Sequence, residues 1–155
     1  MTIQGLSKVL QALVDEHVEF IVFGAVALMA HGLVRATQDL DIFVRPEENN
    51  IRRLRAALKR VYPDDEAIDE IAYSDLAGDY PAVRYNAPDG FGCDIVSRLG
   101  NAWAYDGVEF EEKEFEGLRM RVATPSMLYR MKKDTLRWKD KFDAEALRER
   151  FGLED

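Results

Sequence analysis

The sequence predicts an α+β domain: a mixed, twisted sheet with helices packed on it. Three observations carry that expectation. Short apolar runs of strand length are interleaved irregularly with longer segments whose apolar residues recur at helical spacing. Two pairs of such runs flank turn-forming clusters, Ala87-Pro88-Asp89-Gly90 and Glu116-Gly117, and read as hairpins. A further run, Phe20 to Phe23, passes through Gly24 directly into a compact helical segment.

In chain order, Ile3 to Val18 places Ile3, Leu6, Val9, Leu10, Leu13 and Val14 on one helical face. Phe20–Phe23 is a buried strand, and Ala25–His31 a helix closed by Gly32. Leu40–Val44 is the next strand, ended by Pro46. Glu47–Val61 is an amphipathic helix with Ile51, Leu54, Ala57, Leu58 and Val61 inward and acids in its first turn. The acidic stretch Asp64–Asp79 has weak periodicity, with a short helix near 67–72. Tyr80–Asn86 pairs with Phe91–Ser97, and Val108–Phe115 with Leu118–Val122. Thr124 caps a helix with Pro125 at its first position, and a last helix spans about 140–150. With no internal repeat or low-complexity linker, residues 1–155 form a single domain.

Composition narrows the function. Hydrophobic residues make up 47% and charged ones 32%, the balance of a globular chain rather than a disordered one. No apolar run approaches the ~20 residues of a bilayer span, and no signal pattern opens the chain, so a cytoplasmic protein without membrane attachment is expected. The single cysteine, Cys93, is read as a small buried hydrophobe. A net charge of −8 argues against broad nonspecific binding to nucleic acid. The segment 118–150 nevertheless carries ten Lys or Arg against five Asp or Glu, suited either to a polyphosphate or to a solvated helical face.

The chemistry concentrates in three aspartates. In Gln38-Asp39-Leu40-Asp41-Ile42-Phe43-Val44 the alternation of a strand puts Asp39 and Asp41 on one face and Leu40, Ile42 and Val44 on the other. Two unpaired carboxylates at that spacing repel each other and resist ionisation; a hard cation with oxygen ligands relieves both. Asp94 stands in a second apolar strand beside Gly92, and the three acids converge if the two strands are neighbours. The fifteen aspartates of the chain make one Asp-x-Asp expected by chance, so the pair alone reads equally well as a strand with a wet face. Its surroundings add weight. Val22-Phe23-Gly24-Ala25 opens a helix whose first N–H groups suit a phosphate. Arg35 and Thr37 precede the acids, Arg35 either as a phosphate fork or as the partner of an acid. The basic stretch Lys132 to Asp140 could reach the far end of a triphosphate. His31 is read as a helix-end residue, and Asp140 and Asp143 as holders of Lys and Arg side chains. Trp138, between Arg137 and Lys139, is the aromatic best placed to stack on a base.

The block from Phe20 to Val44 resembles the signature of the DNA polymerase β-like nucleotidyltransferase superfamily. Within it the chain is similar to the small members that resemble the abortive-infection nucleotidyltransferase toxins, which also show a later Asp, here Asp94, and a Lys…Arg-x-Lys-Asp stretch, here Lys132 to Asp140. The likeness covers roughly residues 3 to 150. The resemblance implies a polymerase β-like palm fold and a two-metal transfer of NMP from an NTP to an acceptor hydroxyl, with pyrophosphate released. Asp39 and Asp41 would hold two Mg²⁺ ions (Mn²⁺ as a substitute), with Asp94 on the catalytic one. Gly24, Ala25, Arg35, Thr37, Lys132 and Arg137 would cradle the triphosphate. Many members have serine where this chain has Ala25, which leaves the backbone amides to make that contact. The acceptor could be tRNA, protein or a small molecule, and a toxin would imply an antitoxin partner. A catalytically silent nucleotide- or partner-binding module that retains the fold is the alternative.

Overall fold

A computed structural model describes residues 3–35, 37, 39–79, 81–99, 103–133 and 138–153. Its helices are α1 (Ile3–Asp15), α2 (Gly24–Ala30), α3 (Glu48–Val61), α4 (Tyr73–Ala77), α5 (Pro125–Lys132) and α6 (Trp138–Phe151). Its strands are β1 (Phe20–Phe23), β2 (Asp39–Val44), β3 (Ala82–Asn86), β4 (Gly92–Val96), β5 (Arg98–Leu99), β6 (Trp103–Ala104), β7 (Phe110–Phe115) and β8 (Leu118–Ala123). Six strands form one mixed sheet in the order β3-β4-β2-β1-β8-β7, and β5 and β6 pair separately. The β2–β4 and β1–β8 pairs are parallel; β1–β2, β3–β4 and β7–β8 are antiparallel.

Both expected hairpins form, β3–β4 around Ala87-Pro88-Asp89-Gly90 and β7–β8 around Glu116-Gly117. Thr124 caps α5 as its sequence suggests, its hydroxyl accepting from the Met127 N–H at 3.1 Å. The stretch 64–79 departs from the expected single helix near 67–72. A 3₁₀ turn over Glu66–Glu70, capped by Asp65, is followed by the separate α4. The residues between lack a repeating apolar face, so local caps set the path: Asp65 accepts from the Ala67 N–H, and Asp75 from the Ala72 N–H, each at 3.1 Å.

The central strands are buried because helices flank them. Ile21, Val22, Leu40, Ile42, Phe43 and Ile95 are each at most 1% exposed. Helix α1 packs on α3 and β8, α2 on β1 and β2, and α5 on α6. Cys93 is buried as expected, and burial pushes its thiol well above the ordinary range. His31 ties α2 to the sheet rather than merely closing the helix. Its ring Nε2 donates to the Ala123 carbonyl at 2.8 Å, and burial lowers its pKa.

One buried polar residue stitches the start of β1 to the end of β2. Asn50 accepts from the Glu19 N–H at 2.7 Å and donates to the carbonyls of Glu19 and Arg45, each at 3.0 Å. Replacing Asn50 by Ala leaves one donor and two acceptors short of partners. Urea denaturation should show a loss of about 1–3 kcal/mol.

Candidate active site

The sheet brings the three acids together. Strand β2 lies parallel to β4 with Asp41 directly opposite Asp94 and Asp39 opposite Gly92. Along β2, Asp39 and Asp41 are partly exposed while Leu40 and Ile42 are fully buried, so the expected two-faced strand is present. Alternation therefore places all three carboxylates at one mouth of the sheet.

Asp41 is the most constrained of them. Its carboxyl is pushed up to about 7, first by burial, then by the charge of Asp94 and a hydrogen bond with it, and then by Asp39; Lys132 opposes the rise. The carboxylate also packs onto the backbone where β1 turns into α2. Gly24 has φ +67°, and a Cβ built there would collide with Asp41 Oδ2. Glycine is thus required at this junction twice over, by backbone conformation and by the approach of the acid. Substituting Gly24 by Ala should cost about 1–3 kcal/mol in urea denaturation and displace the Asp41 carboxylate.

A cavity of about 340 Å³ opens beside Asp41. Phe23, Leu99, Leu128 and Met131 form its apolar wall, with Gly24, Asp41 and Lys132 supplying the polar side. Its size falls at the lower end of small-molecule sites, and a mostly apolar wall with few convergent polar groups is their usual makeup. A larger hollow, about 780 Å³, lies between α1 and the end of α3. There the acids are already engaged: Asp15 accepts from Gln11 at 2.8 Å and Asp89 from Tyr62 at 2.9 Å.

Two predicted cations take positions that the sequence left open. Arg35 pairs with an acid: its Nε lies 3.2 Å from Asp143 Oδ1. Lys132 Nζ lies 3.3 Å from the other oxygen of the same carboxylate. Asp143 is 3% exposed at its side chain, so α6 contributes one buried acid that anchors both cations, the holding role expected of it. Thr37 turns onto its own chain, its hydroxyl bonded to the backbone of Asp39 at 3.0 and 3.1 Å, and sets the start of β2. Gly24 and Ala25 form the first turn of α2 next to Asp41. Arg137 lies outside the described residues, as do the side chains of Trp138 and Asp140.

The residue that sequence reasoning missed is Arg84 on β3. Its guanidinium bridges Asp39 Oδ1 at 2.8 Å and Asp94 Oδ2 at 3.0 Å, and its Nε donates to Asn86 Oδ1 at 3.0 Å. The signal was present in the hairpin: closing β3–β4 around its turn sets Arg84 directly opposite Asp94.

These acids suit a hard divalent cation in their donor chemistry, since crowding and burial make Asp41 costly to ionise without one. They do not form a ready-made cage. Among the described residues no group of three His, Cys, Asp or Glu side chains is arranged to hold a metal, and Asp39 and Asp94 are turned toward Arg84.

Solved structures reproduce this architecture. The Thermotoga maritima protein TM1012, a proposed nucleotidyltransferase, superposes with a TM-score of 0.55 at 17% identity over 96% of this chain and 91% of its own. The chain has a nucleotidyltransferase-like fold. An antigenic nucleotidyltransferase-like protein from Paracoccidioides brasiliensis shares it at TM-score 0.56 and 13% identity, covering 92% of this chain and 74% of that one. JHP933 from Helicobacter pylori does so at 0.54 and 21%, covering 97% and 68%. No protein-family model and no curated protein matches the sequence. Among the described residues no helix is long and apolar enough to cross a membrane.

Proposed function

We propose that the chain is a Mg²⁺-dependent nucleotidyltransferase that moves NMP from an NTP to an acceptor hydroxyl and releases pyrophosphate. The observation that carries this reading is the Asp41–Asp94 pair, set opposite each other on parallel strands, with Asp41 lining a cavity that Lys132 also lines. The nucleotidyltransferase-like fold supports it.

Asp41 and Asp94 would hold the cation, joined by Asp39. Bound divalent ions would supply charge neutralisation for the leaving pyrophosphate and activation of the acceptor hydroxyl. A bound divalent cation would offset the burial and the neighbouring charges that raise the Asp41 carboxyl, favouring its carboxylate form. Lys132 presents positive charge to the triphosphate from the cavity wall, and Asp143 keeps the Lys132 ammonium and the Arg35 guanidinium in place. The amides of Gly24 and Ala25 donate to phosphate oxygens at the first turn of α2. Phe23, Leu99, Leu128 and Met131 exclude water and give the nucleoside an apolar face.

The test supplies each of the four α-³²P NTPs with Mg²⁺, in the presence of tRNA and with the protein alone. Transfer of the α label with release of pyrophosphate, and no transfer in a parallel reaction with γ-³²P NTP, is the expected result, and it should vanish in Asp39→Ala and Asp41→Ala. Equal transfer by those variants would sink the reading. If the chain is the toxin of a toxin–antitoxin pair, its expression should arrest growth and Asp41→Ala should relieve the arrest. A silent binding module is favoured by one observation, the Arg84 bridge across Asp39 and Asp94. That reading predicts nucleotide binding indifferent to metal and no pyrophosphate.

A further inference from the structure

Strand β3 is the edge of the sheet, and Arg84 reaches from it across β4 to β2. Crossing an intervening strand requires space over its backbone. Gly92 provides that space: a Cβ at this position would collide with both Arg84 Nη2 and Asp39 Oδ1. The register explains why. Gly92 is the β4 residue directly opposite Asp39, so it lies under the line joining the guanidinium to that acid. Asn86, two residues along the same face of β3, accepts from Nε and fixes the fork. A guanidinium presents its donors in a fixed plane, so one Arg can satisfy two carboxylates and an amide together.

We propose that Arg84 is a resident cation which a divalent metal must displace from Asp39 and Asp94, so that this side chain sets the metal affinity of the site. The inference rests on the metal-dependent reading given above and deepens it. Each of the two candidate ligands commits one carboxylate oxygen to the guanidinium, and among the described residues the three neighbouring acids form no ready-made cage. The bridge is also able to open. Arg84, Asp39 and Asp94 are 40%, 41% and 44% exposed at their side chains, so each ion pair is screened by water and weak on its own. Asp41, by contrast, has no contact with Arg84 among the bonds described and remains the fixed acid of the three. The arrangement resembles a closed latch over two of three ligands, hinged on an exposed edge strand.

Calorimetric titration of MnCl₂ into the full chain, wild type against Arg84→Gln, reads the competition directly. Arg84→Gln should bind Mn²⁺ roughly tenfold more tightly, since the metal no longer has to break two charge pairs. Arg84→Lys, which keeps the charge but loses the fork, should fall between the two. Circular dichroism verifies that each variant is folded. Unchanged or weaker binding by Arg84→Gln, with measurable binding by the wild type, would overturn the displacement and leave the metal site standing. Absence of Mn²⁺ binding in both proteins at millimolar concentration would overturn the metal reading itself, and the competition with it.

Discussion

Asp41→Asn should abolish nucleotide transfer and at the same time stabilise the protein at alkaline pH. The two effects share one cause. In the folded chain the Asp41 carboxyl is pushed from its ordinary 3.8 up to about 7 by burial and by the neighbouring Asp94 and Asp39. The folded state therefore binds more protons than the unfolded state between those values, and stability falls as pH climbs from the lower to the higher. Asparagine keeps the size of the side chain and carries no charge, so it removes that penalty. At pH 8 the gain should be on the order of 2 kcal/mol, discounted from ~1.4 kcal/mol per pH unit because the group is not fully buried. Thermal melts should show Asp41→Asn about 4–8 °C above the wild type at pH 8. Near pH 4 the two proteins should melt together. Loss of transfer should exceed the roughly 10–100-fold that removing even an outer-shell partner costs a metal site. Saturating Mn²⁺ should raise the melting temperature of the wild type and leave that of Asp41→Asn nearly unmoved.

Asp143→Ala should be the most damaging substitution outside the three acids. Helix α6 buries Ala144 and Leu147 and leaves Phe142 62% exposed. The two ion pairs to Arg35 and Lys132 join it to the segment before β2 and to α5. Removing the acid takes its carboxylate away from two cations that are 20% and 16% exposed. Breaking a fully buried pair costs up to 5 kcal/mol; because these cations can turn partly to water, about 2–3 kcal/mol is expected in urea denaturation. The functional consequence is separable from the structural one. If Asp143 positions Lys132 for the triphosphate, the NTP concentration giving half-maximal transfer should rise in Asp143→Asn, which keeps the shape and loses the charge. Lower stability with unchanged nucleotide affinity would mean that the acid serves the fold alone.

Much of this was legible in the residues. Alternation along Asp39–Val44 assigned the two faces of β2, and turn chemistry at 87–90 and 116–117 assigned both hairpins. Local signals also gave the Thr124 cap and the Gly24 junction. What was not legible is nonlocal. The parallel pairing of β2 with β4, which sets Asp41 against Asp94, joins strands separated by two helices and a hairpin, and no local pattern encodes that register. Arg84 reaching Asp39 depends on the same pairing and on the missing side chain at Gly92. Arg35 could not be assigned between phosphate and acid until α6 placed Asp143 against it. Segment 64–79 spreads its acids around most of a helix's circumference, so its caps rather than its periodicity decide where the turns fall. Strands β5 and β6 are two residues each, too short to register as a pattern.

The central claim is that Asp41 and Asp94 hold a divalent cation against a nucleotide. Crystals soaked with MnCl₂ and a non-hydrolysable NTP, with data collected at the manganese edge, test it most directly. An anomalous peak in contact with the carboxylates of Asp41 and Asp94 is expected, with phosphate density beside Lys132 and the Arg84 guanidinium withdrawn from Asp39 and Asp94. Arg84 still bridging Asp39 and Asp94, with no manganese at Asp41, would contradict it.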